Sequence, residues 1–335
     1  MNSLTNIHTA FNLAPYIHYP LSLMLLLIFY IKSPRTTFRN DDLFIYVVMF
    51  ILSLVSYING ISQGHIVNVK PLVITLLLVF LTSRRLSVIW YYRLFYFSIG
   101  FLVIEYIVVY AEIIPTFQKE YIRIPPLIRP IGPFMDMHLI SYFIVFSLFI
   151  FNYRKISGLL CLVFGSYLIA LGWIVFASKY VNKLFFMISM VALVSTLYVV
   201  GHLNIDKDAM SMLSILLTAF EHSIDYQCLT FGCSSNIDST TADPRITDIG
   251  FYRVLYQYGL LWIVMLVISL RNYNKLFVFA NIIMWVHYPF TLGILGFIIF
   301  IWMLHLIRYK EEQAFELTNQ RLYLQNIQSH ESPKL

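Results

Sequence analysis

Between Ala242 and Trp262 the chain passes from polar to as apolar as lipid, ADPRITDIGFYRVLYQYGLLW. Asp243, Arg245, Asp248 and Arg253 crowd its first half. Charge at the mouth of an apolar helix is costly to keep dry, so these groups need a task or a partner. Asp248 lies two residues before Gly250, where the apolar run begins. Read as a helix, Asp248 and Tyr252 share a face, as do Ile249 and Arg253. Asp248 is either a cap or first-turn acid, worth about 1 kcal/mol, or a proton acceptor. The two roles are compatible, because a helix N-terminus also draws anions.

A second set of groups lies in RIPPLIRPIG, which places Arg123 and Arg129 on a strip stiffened by Pro125, Pro126, Pro130 and Pro133. An arginine held on such a scaffold loses less entropy when it binds, and its fork suits phosphate bidentately. The alternative is a pair of interfacial arginines on lipid headgroups. In MDMH, Asp136 and His138 open an apolar run, where Asp reads first as a helix start. Glu105 sits inside an apolar run and either pairs with Arg93 or is protonated. In ASKYVNK, Lys179 and Lys183 are either topology signals or, on the opposite side, Lys179 faces an anionic ligand. No Walker loop, GxSxG, HExxH or Cys/His zinc spacing occurs, and the nine His are scattered.

These residues must be positioned by membrane helices. Of 335 residues 59% are hydrophobic and only 12% charged, and mean hydropathy is +0.74. No soluble core hides that much apolar surface, since ordinary domains are roughly a quarter charged. The expectation is an all-α polytopic membrane protein, with spans near 13–31, 43–61, 66–82, 94–111, 137–152, 156–176, 181–202, 250–270 and 276–307. The last run is too long for one crossing and contains HYP at 287–289, so it divides there, giving about ten crossings in all. Residues 1–307 form one membrane domain, and 308–335 read as a polar, partly helical cytoplasmic tail. The net charge of +6 comes from short basic clusters between apolar runs, which argue topology rather than nucleic acid.

Those clusters (Lys32, Arg35 and Arg39; Arg84 and Arg85; Arg154 and Lys155; Arg271 and Lys275; Arg308 and Lys310) mark cytoplasmic loops. Segment 112–136 is then outside. Counting forward from Arg154 puts 203–249 inside, whereas counting back from Arg271 puts it outside. The second count is preferred, because 203–249 is long and carries seven Asp and Glu against Lys207 and Arg245. The count from the N-terminus is then off by one crossing between 153 and 203, where the Gly-containing run ISGLLCLVFGSYLIALGWIVF is a candidate hairpin or re-entrant element. Cys161 reads as packing, and Cys228 and Cys233 either pair in an oxidising compartment or remain free thiols.

Taken together, RPIGPFMDMHLISYF, YQCLTFGCSSN and TDIGFYRVLYQYGLLW resemble the O-antigen polymerase and ligase family of membrane glycosyltransferases. The first is similar to its Arg-x-x-Gly stretch before a span. The second is similar to its Leu-Phe-Gly-x-Gly turn, here with Cys233 and Ser234 after Gly232. The third is similar to its Asp-x-Gly-Tyr stretch, with Asp248, Gly250 and Gly259 in register. ASKYV matches the family's Ser-Arg motif loosely, with Lys179 for arginine. The resemblance covers most of the chain in topology and about fifty residues in motif.

It implies a C-type glycosyltransferase of the bacterial inner membrane that joins repeat units of a surface polysaccharide on the outer face. The donor glycan is carried on undecaprenyl pyrophosphate, no metal or other cofactor is implied, and a chain-length regulator is a possible partner. Asp248 is then the catalytic group. Arg129, Arg123, Arg245, Lys179, Tyr252 and Arg253 line the substrate and pyrophosphate site. Two other classes compete: a transporter or flippase of a lipid-linked glycan, for which internal repeats would speak, and a membrane O-acyltransferase, for which His8 and His18 lack a catalytic setting.

Overall fold

The computed structural model describes residues 3–36, 40–111, 131–164, 167–180, 182, 187–188, 191, 226–235, 250–285 and 289–331. Among them the chain forms helices and no strand; two isolated bridges, Arg35 with Arg84 and Val67 with Ser235, join loops. The helices are α1 (Ser3–Lys32), α2 (Asn40–Ser62), α3 (Lys70–Thr82), α4 (Val88–Tyr110), α5 (Met137–Ile150), α6 (Arg154–Val163) and α7 (Tyr167–Ala177). They continue as α8 (Tyr226–Phe231), α9 (Gly250–Tyr258), α10 (Leu260–Ser269), α11 (Lys275–Trp285) and α12 (Ile294–Glu331), with a 3₁₀ turn at Phe290–Leu292.

Local signals account for several helix ends. Asp41 and Asp42 sit in the first turn of α2, where they favour the helix dipole. Pro71 follows Lys70 at the start of α3, where a missing N–H costs nothing. Asp136 caps α5, accepting from His138 N at 2.8 Å and Leu139 N at 3.0 Å, so the expected helix start is what this residue provides.

Among the described residues two helices, Asp41–Ser62 and Val88–Val108, are long and apolar enough to cross a membrane, and a third span is formed if α9 and α10, bent by 91°, count as one. The expected number was about ten. Part of the difference is one of length: apolar runs such as 66–82 and 137–152 yield helices of only 13 and 14 residues, roughly 20 Å at 1.5 Å per residue against a core of about 30 Å, while the span expected at 181–202 lies almost wholly outside the described residues. The long apolar run divides near HYP as expected, between α11 and α12. The second piece is not short, however, since α12 continues through the polar tail to Glu331.

A helix that is apolar all round belongs inside a bundle. Residues 295–304 of α12 and 139–147 of α5 are buried throughout. They meet Tyr91, Phe146, Phe277 and Trp302 in edge-to-face aromatic contacts, as in Tyr91 against Trp302 at 5.1 Å and Phe146 against Phe277 at 5.4 Å. The outer helices instead expose Phe44, Ile58, Tyr96 and Ile104, the surface that lipid covers.

The run 154–180 folds back on itself. Trp173 Nε1 donates to Ser157 Oγ at 2.8 Å, and Arg154 Nη1 donates to Tyr180 O at 2.6 Å, so α6 and α7 are an antiparallel hairpin whose ends meet. Of the two expected forms, hairpin or re-entrant element, the described residues show two short helices packed side by side. The loops then sort into two groups. At one end Arg35 bridges Arg84, Arg271 pairs with Asp42 at 3.2 Å, and Asn274 donates to Tyr180 Oη and Glu311 Oε1. All five basic clusters have members in these contacts or beside them. At the opposite end lie 59–70, 131–139, 226–235, 250–259 and 289–296.

Candidate functional site

The polar end is built around one turn. After α8, Gly232 (φ 83°) and Ser234 (φ 47°) reverse the chain, and Cys228 and Cys233 are joined by a disulfide with Cα atoms 5.0 Å apart. The pairing left open by the sequence is thus made. The turn docks on the carbonyl end of α9: Cys233 N donates to Tyr256 O at 2.8 Å and Ser234 N to Gln257 O at 3.2 Å. It also docks on α2, where Asn59 Nδ2 donates to Gly232 O at 3.0 Å and Ser56 Oγ meets Ser234 Oγ at 2.9 Å. These bonds satisfy the last carbonyls of α9 and hold the 91° corner between α9 and α10.

Beside this corner lies a cavity of about 230 Å³ whose lining includes Lys70, Arg253, Gln257, His18, Asp136 and Gly293. Lys70 opens α3, and Arg253 and Gln257 lie one turn apart on α9, within electrostatic range of Lys70. Among the described residues neither Lys70 nor Arg253 makes an ion pair. Asp136 is the one carboxylate in the lining, and its Oδ1 is committed to the start of α5. The first turn of α12 lines the cavity through Leu295 and Gly296, which brings the positive end of a 38-residue helix to the same space. Two cations and two helix N-termini against one capped carboxylate make a site for an anion with several oxygens.

Of the seven residues expected at the site, one is found in the cavity wall. Arg253 lines the cavity. Tyr252 stacks on Tyr256 at 6.4 Å, and Tyr256 Oη meets His65 Nε2 at 2.9 Å, so this face of α9 turns toward the disulfide turn rather than toward Lys70. Lys179 lies at the opposite, basic end: its ammonium is 5.9 Å from the Tyr180 ring, which Arg154 also covers at 5.5 Å. It is not brought to the cavity. Asp248, Arg245, Arg129 and Arg123 fall outside the described residues.

Glu105 does not pair with Arg93. Its carboxylate accepts from Ile131 N at 2.8 Å and Gly132 N at 2.9 Å, while Arg93 lies over the Trp90 ring at 4.5 Å. Glu105 thereby ties down the backbone of Ile131 and Gly132, the residues that follow Arg129 and Pro130 in sequence.

Lys70, Gln257 and His18 are site residues that sequence reasoning missed. Lys70 was counted into an apolar span at 66–82. The available signal was that an ionisable group in such a run is functional by default. His18, whose Nε2 meets Phe134 O, has no motif around it. The scattered histidines gave no reason to expect a metal site, yet the ligating atoms of His65, Cys228 and Cys233 lie within 4.8 Å of one another. The two sulfurs are bonded to each other and offer no thiolate to a metal.

Comparison of the chain with known protein families, curated proteins and solved structures gives no match.

Proposed function

We propose that this is a multi-pass protein of the bacterial inner membrane that polymerises lipid-linked oligosaccharide repeat units into a surface polysaccharide on the outer face. The observation that carries the reading is the cavity holding Lys70 and Arg253 without ion-pair partners, at the end of the bundle opposite the basic loops. The pyrophosphate of an undecaprenyl-linked glycan matches that charge. The positive-inside rule puts the basic end in the cytoplasm and the cavity outside. The α6–α7 hairpin supports the same orientation. It returns the chain to the basic end at Tyr180, which agrees with the count back from Arg271 and Lys275. A disulfide at the cavity end fits an oxidising compartment.

In this reading an acceptor sugar hydroxyl attacks the anomeric carbon of the donor. The new C–O bond forms as the bond to pyrophosphate breaks, the bonding pair leaves on the pyrophosphate oxygen, and the hydroxyl proton passes to Asp248. Lys70 and Arg253 face the charge that builds on the leaving group, where electrostatic stabilisation is worth most, and the same role is assigned from the sequence to Arg129, Arg123 and Arg245, which lie outside the described residues. The leaving group is already a stable anion, so no carboxylic acid has to protonate it, unlike the leaving group of a glycoside hydrolase. The same cavity charge serves a flippase equally well. The distinction is chemical, because a flippase needs no proton acceptor at Asp248.

The test is the purified full chain with the lipid-linked repeat. Wild type should extend it beyond one unit. Asp248→Asn, which caps a helix about as well as Asp, should lose about a hundredfold in rate while keeping its fold. Single repeats that stay single with wild-type protein, and reach the outer leaflet only when the protein is present, would show the flippase instead.

The orientation has its own test. Ser239→Cys, in a chain whose cysteine pair is intact, should react with a membrane-impermeant maleimide in whole cells. Labelling only after permeabilisation would overturn both orientation and mechanism.

A further inference from the structure

Asn68 connects the disulfide turn to the cavity. Its backbone N–H donates to Ser234 O at 2.6 Å, one residue beyond Cys233. Its side-chain Oδ1 accepts from Lys70 N at 3.1 Å and from Gln257 Nε2 at 3.1 Å. One amide oxygen therefore joins the start of α3, which carries Lys70, to the face of α9 that carries Gln257 and Arg253. The neighbouring bridge between Val67 and Ser235 extends the same contact. The turn is in turn closed by the Cys228–Cys233 bond, with both cysteines fully buried. His65 and Gln63 pack against it: Gln63 Oε1 lies 3.1 Å from Cys228 Sγ and 3.1 Å from His65 Nε2. The cysteine pair thus sits at one end of a continuous set of bonds whose other end is the backbone of Lys70 and the side chain of Gln257, one turn from Arg253 on α9.

We propose that Asn68 is a positioning residue for anion binding and that the Cys228–Cys233 disulfide holds it in place, so that anion affinity depends on the oxidised cysteine pair. The proposal rests on the reading of the cavity as an anion site. On reduction the S–S bond breaks and two S–H bonds form. The two electrons and two protons come from a dithiol, which becomes a disulfide. Residues 229–232 then lose their covalent closure, Ser234 O is no longer fixed beneath Asn68, and the Lys70–Arg253 spacing relaxes. A site held at the required spacing binds more tightly than one that must be reassembled.

The experiment uses the full chain in lipid nanodiscs with inorganic pyrophosphate as the probe. The oxidised protein should bind it, and Lys70→Gln should abolish binding. Reduction by a dithiol should weaken binding about tenfold. Asn68→Ala, left oxidised, should show the same loss, and adding dithiol to it should cause no further loss, because the two changes act through one set of contacts. Additive losses, or equal affinity of oxidised and reduced wild type, overturn the coupling and leave the anion site standing. Absence of binding in the oxidised protein, with Lys70→Gln indistinguishable, overturns the anion site itself. Backbone hydrogen exchange separates the cases without a ligand: reduction should raise exchange in 66–72 and 254–258, and unchanged protection there overturns the coupling on its own.

Discussion

Lys70→Gln, in a chain that reaches the membrane at the normal level, is expected to cut polymer formation by about a hundredfold or more, with Arg253→Gln close behind. Removing one preorganised donor from a site where negative charge develops costs about 2.7–4 kcal/mol, a factor of 10²–10³. Lys70 is half-buried and heads α3, so its ammonium has few alternatives to the cavity. Gln keeps much of the stem and a hydrogen-bond donor, which leaves charge as the main difference. Lys70→Arg should retain a substantial part of the activity, because the charge stays while the geometry changes. The control is Lys179→Gln. Lys179 lies at the opposite end over Tyr180, and its loss should leave polymer length and amount unchanged. Full-length polymer from Lys70→Gln, or equal defects from Lys179→Gln, would remove the cavity from the mechanism.

Gly259→Ala is expected to destabilise the protein by about 3 kcal/mol or more, and with it the amount found in the membrane. Two costs add. Gly259 has φ 84° and ψ 150°, a region that side chains other than hydrogen essentially do not enter, at about 1–3 kcal/mol. A Cβ there would also lie 2.4 Å from Phe231 C and 2.5 Å from Gly232 N, both backbone atoms that cannot rotate away. Overpacking of this kind costs about 1–3 kcal/mol. Against a typical total of about 5–15 kcal/mol this is a large fraction. The matched control is Gly100→Ala in α4, where a Cβ would meet nothing within 4 Å and helix propensity favours Ala by about 1 kcal/mol. Thermal unfolding of the detergent-purified chains measures the difference. A Gly259→Ala protein as stable as Gly100→Ala would mean that the corner between α9 and α10 is not held as described.

Some of the candidate site was legible because it depends on residue type and near neighbours. Asp136 before an apolar run reads as a cap, and it is one. HYP between two apolar halves reads as a break, and α11 and α12 separate there. The conflict between two topology counts pointed to the stretch between 153 and 203 without saying what lay there, because charge bias is counted over loops and does not see how two helices pack; α6 and α7 turn back on each other within it. Gly259 and Gly232 were picked out through family motifs. Their physical reason is one close approach of backbone: a Cβ on Gly259 would lie 2.5 Å from Gly232 N, and a Cβ on Gly232 would lie 2.7 Å from the carbonyl carbon of Tyr258.

What composition and pattern determined, then, is a helical membrane protein with its charges sorted to loop ends, because hydropathy and charge bias are summed along the chain and need no partner. Tertiary structure decided which apolar runs became short interior helices rather than full spans, since that depends on packing among α5, α11 and α12. It also decided that Glu105 holds the backbone of Ile131 and Gly132 rather than Arg93. It brought Lys70 and Arg253, 183 positions apart in the chain, to one cavity, and gave Asn68 bonds to three segments. Contacts at such separation leave no periodic trace in a single sequence, because each residue keeps the local signature of its own helix whichever partner it meets.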